Sequence, residues 1–134
     1  MSNSRRNFIA GAVAVGVTSA ASALPKLPQQ KTIPLVHHVF FWLKNSRSAE
    51  DTKKLIEGLK TLRAIPTIKM LHIGVPADTE VRPVIDSSYD VSELMFFDNT
   101  ADQKVYQDHP IHQKFIADHS NLWEKVVVYD VKEV

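Results

Sequence analysis

Two hydrophobic periods alternate along this chain after residue 34. From Leu35 to Leu43 almost every position is apolar or aromatic, with Val36, Val39, Phe40, Phe41 and Trp42 dominating, which predicts a strand. The period then lengthens. Ser48 with Asp51 three residues on resembles a capping box, and Leu55, Ile56, Leu59, Leu62 and Ile65 recur at helical spacing until Pro66 stops them. Thr67 to Val75 reads as a second strand and Tyr89 to Phe97 as a third, separated by a long loop, 76–88, with two prolines and three acids. Thr100 with Gln103 predicts another helix start, running through Val105 and Tyr106. Pro110 fits the first turn of a fresh helix capped by Asp108 or His109, with Ile111, Phe115 and Leu122 on one side. Glu124 to Val134 closes the chain as a strand.

The order is β-α-β, β-α-β. That is an α+β, ferredoxin-like split unit with a four-stranded antiparallel sheet and helices on one face. A solvated second face should alternate with polar residues. Strand one does not: Val39, Phe41 and Leu43 point one way, and Val36, Phe40 and Trp42 the other. In the last strand Val126 and Val128 oppose Val127, Tyr129 and Val131. The second face therefore calls for a cover the chain does not supply, and a second copy is the simplest one. A homodimer is the expected assembly.

The N-terminus adds a different kind of information. Ser4-Arg5-Arg6-Asn7-Phe8-Ile9 is a twin-arginine pattern, followed by a mild apolar run from Ala10 to Ala21 and then Ala21-Ser22-Ala23. Basic start, short apolar segment and small-residue cleavage site are the parts of an export signal. The run falls short of the roughly 20 strongly apolar residues of a membrane span, so no stable span is expected after processing. Residues 1–23 read as a twin-arginine signal peptide, 24–34 with three prolines as a linker, and 35–134 as the domain. The expected location is periplasmic or extracellular. Sixteen basic against fifteen acidic side chains leave no charge excess to hold nucleic acid. The absence of cysteine excludes disulfides and thiolate chemistry.

Chemistry concentrates in Tyr106-Gln107-Asp108-His109-Pro110-Ile111-His112, a phenol and two imidazoles around a proline. On one continuous helix Tyr106 and His112 would lie about 240° apart around the axis. A break at Pro110 lets the second helix set off in a new direction and bring His112 back toward Tyr106. His109 and His112 lack an HExxH-like frame and predict no metal site. His37 and His38 point to opposite faces of one strand, so at most one shares a pocket with His112. Glu93 is the odd carboxylate of its strand. It reads as a pocket acid or, more simply, as the cross-strand partner of Lys69.

With His-Pro-x-His feeding Trp123-Glu124-Lys125-Val126-Val127-Val128-Tyr129-Asp130, and Val36-His37-His38-Val39-Phe40-Phe41-Trp42-Leu43-Lys44 as opening strand, the chain resembles the stress-responsive A/B-barrel (Dabb) family from Leu35 to Val131. The resemblance implies a dimeric α/β-barrel in which two sheets pack face to face. Many members are known only as stress-induced proteins; some are polyketide cyclases that use a histidine and a tyrosine between sheet and helices. Carried over by motif position, those roles fall on His112 and Tyr106, in a pocket lined by His37, His109, Phe41 and Phe115. Those cyclases carry a further pocket histidine where this chain has Val91. The resemblance thus implies an exported A/B-barrel protein with a pocket for a small hydrophobic or aromatic ligand. The alternative is a cofactor-free cyclase or lyase with His112 as base and Tyr106 as oxyanion stabiliser. The residues alone leave enzyme and non-catalytic dimer side by side. An open apolar cavity with both polar side chains converging on it separates the two.

Overall fold

The computed structural model describes residues 35–134, residues 21–25 and residues 11, 14 and 16. Apart from those few positions, the expected signal peptide and linker lie outside the described residues. Strand β1 spans Leu35–Leu43, and helix α1, Ala49–Thr61, continues into a 3-10 turn at Leu62–Ala64. Strand β2 is Met70–Gly74 and β3 is Val91–Phe97. Helix α2, Thr100–Asp108, is followed directly by α3, Pro110–His119, and strand β4, Trp123–Lys132, ends the fold. The strands form one sheet in the order β2-β3-β1-β4, antiparallel throughout. This is the ferredoxin-like arrangement, with its second helix divided in two.

Alternation along β1 sets the layers. Leu35, His37, Val39, Phe41 and Leu43 are buried, while the residues between them are half-buried. The buried set meets Leu55 and Leu59 of α1, Leu62, and the inward residues Val91, Met95 and Phe97 of β3. Each fully buried side chain of this kind contributes about 1.5–3 kcal/mol through removal from water. Helix α1 begins where its cap predicts: the Ser48 hydroxyl accepts from the Asp51 N–H at 3.2 Å.

Three local expectations are corrected. The α2 cap is Asn99, whose side-chain oxygen accepts from the Asp102 N–H at 2.8 Å; Thr100 is already helical. Asparagine is as strong an N-cap as any residue, and it stands one place earlier. Strand β2 begins at Met70, three residues later than expected, because Ile68 N–H turns back to the Ile65 carbonyl after Pro66. Lys69 pairs with Asp98 at 3.2 Å and not with Glu93, since the β2–β3 register sets Ile73 opposite Glu93.

On the opposite side of the sheet the register sets Val36 beside Val131, His38 beside Tyr129, Phe40 beside Val127 and Trp42 beside Lys125. Tyr129 and Val131 are 59% and 57% exposed. No helix of the described residues covers this face. Among them no helix is long and apolar enough to cross a membrane.

One buried carboxylate, unmarked by any motif, organises the turn from β1 into α1. Asp90 accepts from the Leu43 N–H at 2.8 Å and the Arg47 N–H at 2.9 Å, with the Ser46 hydroxyl at 3.4 Å. It thereby holds Arg47 at a positive φ of 64°, a conformation that costs a non-glycine residue energy. Replacing Asp90 with alanine strands the buried Leu43 N–H, removes the partner of the part-buried Arg47 N–H and frees the strained turn. We expect a loss of about 2–3 kcal/mol, read as a lowered urea midpoint; a midpoint unchanged from the parent would show that the turn holds without the carboxylate.

Candidate functional site

The sequence forces a break between α2 and α3. Pro110 has no N–H to continue α2, and its ring fixes the φ that a first helical turn needs. His109 caps the new helix, its Nδ1 accepting from the Ile111 N–H at 3.1 Å. Redirected in this way, His112 comes to rest with its ring centroid 4.6 Å from that of Tyr106. Both are buried. His37 also approaches Tyr106, 5.5 Å between ring centroids.

Between α3 and the sheet lies a cavity of about 250 Å³. Val39, Phe41, Phe115, Ile116, Trp123, Val126 and Val128 form its apolar walls; Glu93, Tyr106, Gln107 and His112 supply the polar ones. Of the residues expected in the pocket, Tyr106, His112, Phe41 and Phe115 line this space. His37 does not reach the lining. His109 is also absent from the lining, because its ring is committed to capping α3. Val91, at the position of the further cyclase histidine, is fully buried in the core.

Hydrogen bonding fixes the state of each polar group. His112 Nδ1 lies 3.0 Å from the Gln107 carbonyl oxygen. A carbonyl only accepts, so Nδ1 carries the proton and Nε2 keeps the lone pair. Burial lowers the His112 pKa below its ordinary value, against the raising effect of that carbonyl and with a further lowering from His37. The imidazole is therefore neutral at neutral pH. Tyr106 lies with its hydroxyl 3.2 Å from Glu93 Oε1, and burial, followed by the facing Glu93, pushes its pKa well above the ordinary phenol range. Glu93 is 1% exposed. Burial raises its pKa to about 8, opposed by the Tyr106 hydrogen bond. At neutral pH the cavity thus holds a neutral acid, a phenol and a neutral imidazole. His37 Nδ1 meets Asp130 Oδ1 at 2.6 Å across the β1–β4 register, beside but outside this set.

The sequence singled out Glu93 without showing that it reaches the cavity. It gave no sign of Asp130, although the pairing of His37 with Asp130 follows once β1 and β4 are known to be neighbours in this register. No cluster of three or more His, Cys, Asp or Glu suited to a metal occurs among the described residues. A base with a free lone pair, a hydroxyl donor and a protonated acid around an apolar hollow can bind a small carbonyl compound and move a proton on it.

The family model for the stress responsive A/B barrel domain (Dabb) matches residues 35–133. A Dabb family protein with a ferredoxin-like fold from Mesorhizobium loti is 26% identical, covering 75% of this chain and 96% of its own, with a TM-score of 0.62. A dimeric ferredoxin-like protein of unknown function from Thermobifida fusca is 20% identical over 77% of this chain and 93% of its own, TM-score 0.61. Hydroxynitrile lyase from Passiflora edulis is 21% identical over 77% of this chain and 96% of its own, TM-score 0.59. Comparison with curated proteins by sequence gives no match.

A buried acid whose pKa rises on folding makes stability depend on pH in a definite sense. Between 4.5 and about 8 the folded protein keeps a proton that the unfolded chain gives up. The contribution of Glu93 is thus most favourable below 4.5 and declines as pH rises to about 8. His112 acts oppositely: its lowered pKa costs stability as pH falls through 6.5. Glu93→Gln removes the first effect alone. The variant should gain on the order of a few kcal/mol over the parent at pH 8 relative to pH 5. Thermal melts of both proteins across that range check this, and parallel curves would mean that Glu93 is not held neutral.

Proposed function

The chain belongs to the stress responsive A/B barrel domain family, and from that premise we propose that it is an exported, homodimeric domain that binds a small, mostly apolar carbonyl compound beneath α3 and catalyses proton transfer on it through His112 and Tyr106. The observation that carries this reading is a neutral His112, its Nδ1 committed to the Gln107 carbonyl, with its ring 4.6 Å from that of Tyr106 on the lining of one largely apolar cavity. At about 250 Å³ the space falls below the roughly 300–1,000 Å³ of sites for drug-sized ligands, so the ligand is small. In the proposed step Nε2 takes a proton from the carbon next to the carbonyl. The C–H electron pair becomes the enolate double bond, and charge moves onto oxygen, where the phenol donates a hydrogen bond. The Passiflora edulis protein of the same fold is a hydroxynitrile lyase, which supports lyase-type chemistry as one use of such a pocket.

Assembly and export complete the proposal. The apolar face bearing Phe40, Trp42, Val127 and Val131 is of the kind that soluble monomers seldom leave open, and the Thermobifida fusca protein is described as dimeric. Arg5 and Arg6 followed by the apolar run and Ala21-Ser22-Ala23 support export by the twin-arginine route.

Catalysis is tested by deuterium uptake next to the carbonyl of small aryl ketones in D₂O, followed by NMR. His112→Ala should lower the rate by about 10²-fold or more, and Tyr106→Phe by about 10²-fold, with the fold intact by circular dichroism. If the parent protein exchanges no ketone faster than buffer, the domain binds without chemistry. Fractionation and sedimentation test the rest. The exported form should lack residues 1–23 and sediment as a dimer, Phe40→Asp should make it monomeric or insoluble, and Arg5→Lys with Arg6→Lys should hold it in the cytoplasm. Export of that double variant at the parent's level, or a stable parent monomer at micromolar concentration, would remove the corresponding part of the proposal.

A further inference from the structure

The phenol of Tyr106 has one proton, and two acceptors compete for it. One is the oxygen of a ligand in the cavity; the other is Glu93 Oε1, 3.2 Å away. Among the described residues Tyr106 is the sole hydrogen-bond partner of the Glu93 side chain. Glu93 sits mid-strand on β3, is almost wholly buried, and itself lines the cavity. We propose that Glu93 is the positioning residue that decides where Tyr106 directs its proton, and that this makes the cavity a site for small uncharged carbonyl compounds. The inference rests on the reading of this cavity as a ligand site, but not on any turnover there.

A carboxylate at Glu93 only accepts, so it claims the Tyr106 proton and leaves the phenol with nothing to donate. A protonated Glu93 has a donor of its own. It can give that hydrogen bond to the phenol oxygen, and Tyr106 is then free to turn its O–H toward the cavity. The relay runs Glu93 O–H to Tyr106 O–H to ligand oxygen, with every donor matched to an acceptor. Glu93 takes that proton from solvent as it leaves the carboxylate state; once it is protonated no bond to hydrogen is broken, and only the direction of the chain reverses. Burial favours the neutral acid up to about pH 8, so over the neutral range the donor faces the ligand.

Ligand class follows from charge. No cation among the described residues lines the hollow, and an anionic carboxylate ligand would enter a largely apolar space with a neutral imidazole, two hydroxyls and the uncharged Gln107 as its polar company. Desolvation disfavours that strongly. A ketone or aldehyde needs one donor and no countercharge.

The other titratable groups around Glu93 are few. Tyr106 comes from α2, His112 from α3, His37 from β1 and Asp130 from β4. On β2 the register partner is Ile73, and α1 turns Leu55, Gly58 and Leu59 inward. Any pH effect on binding that arises from His112, His37 or Asp130 survives when Glu93 is replaced.

The test uses the full chain and two probes, acetophenone and benzoate, with affinities measured by ligand-observed NMR from pH 6.5 to 9.5. Acetophenone should bind with constant affinity to about pH 7.5 and weaken several-fold to tenfold by pH 9.5, while benzoate should bind at least tenfold more weakly at pH 7. In Glu93→Gln, whose amide N–H donates to the phenol at every pH, acetophenone affinity should stay flat across the range. Glu93→Leu removes the competing acceptor altogether and should be flat as well, which keeps the test decisive if one variant folds poorly. Tyr106→Phe should bind severalfold more weakly at pH 7 and lose the pH dependence. The inference is overturned if the parent shows no weakening above pH 8, if either Glu93 variant retains it, if benzoate binds as well as acetophenone, or if acetophenone does not bind. Binding with this pattern but without deuterium exchange would instead sink the proton-transfer reading and leave the role of Glu93 standing.

Discussion

Everything at the cavity depends on the interruption of a helix at Pro110. Without an N–H the proline cannot extend α2, and the Nδ1 of His109 takes over as cap for the first free N–H of α3. The two short helices then meet at an angle that a single helix could not provide. Tyr106 near the end of one and His112 near the start of the other close on the same hollow. The break also exposes the carbonyl of Gln107, which no longer serves a helical partner and accepts from His112 instead. One residue's inability to donate thus selects both the position and the tautomer of the imidazole.

The polar groups gathered there are expensive. An acid buried to the degree of Glu93 either finds a partner or gives up its charge, and here it does both, incompletely. A leucine in its place would complete the apolar packing among Val39, Phe41 and Phe115 at lower cost. A group that weakens the folded state at neutral pH and sits against a cavity is more easily understood as part of a site than as part of a core. Asp90 shows the contrast: equally buried, it accepts two short backbone hydrogen bonds and a third, longer one, and it fastens a turn.

Local chemistry in the sequence marks the fold well, and long-range placement much less. The alternation in β1, the Ser48 cap and the proline at 110 each act within a few residues, so each is legible from its neighbours. Corrections cluster where two strong local signals compete or where a partner is distant. Asn99 outranks Thr100 as a cap because only one of two adjacent good cappers can take the position. Charge alone suits Glu93 to Lys69, but a register that sets Ile73 opposite Glu93 leaves the lysine to Asp98. His109 fits both cap and pocket from its place in the motif, but its Nδ1 caps α3 and the ring does not join the cavity lining. The link between His37 and Asp130 spans 93 residues, and no local pattern encodes it. The cavity itself arises from absence: Val126 and Val128 on the edge strand are too small to fill the space under Ile116 and Trp123.

β1 joins the two sides of the molecule. Val39 and Phe41 form part of the cavity floor, while Phe40 and Trp42, between and beside them, belong to the open apolar face. Phe40 packs against Tyr89 and Tyr129 on that outer side, with ring centroids 4.9 and 6.0 Å away. Trp42 is tied down by its N–H to Ser88 at 3.0 Å and by Lys125 over its ring. A strand cannot shift by one residue without exchanging its faces. Whatever covers the outer aromatics therefore also holds Val39 and Phe41 on the cavity side. Covering the outer face and shaping the cavity are two consequences of one register, so a disturbance at Phe40 that shifts the strand would reach the cavity even though Phe40 does not line it.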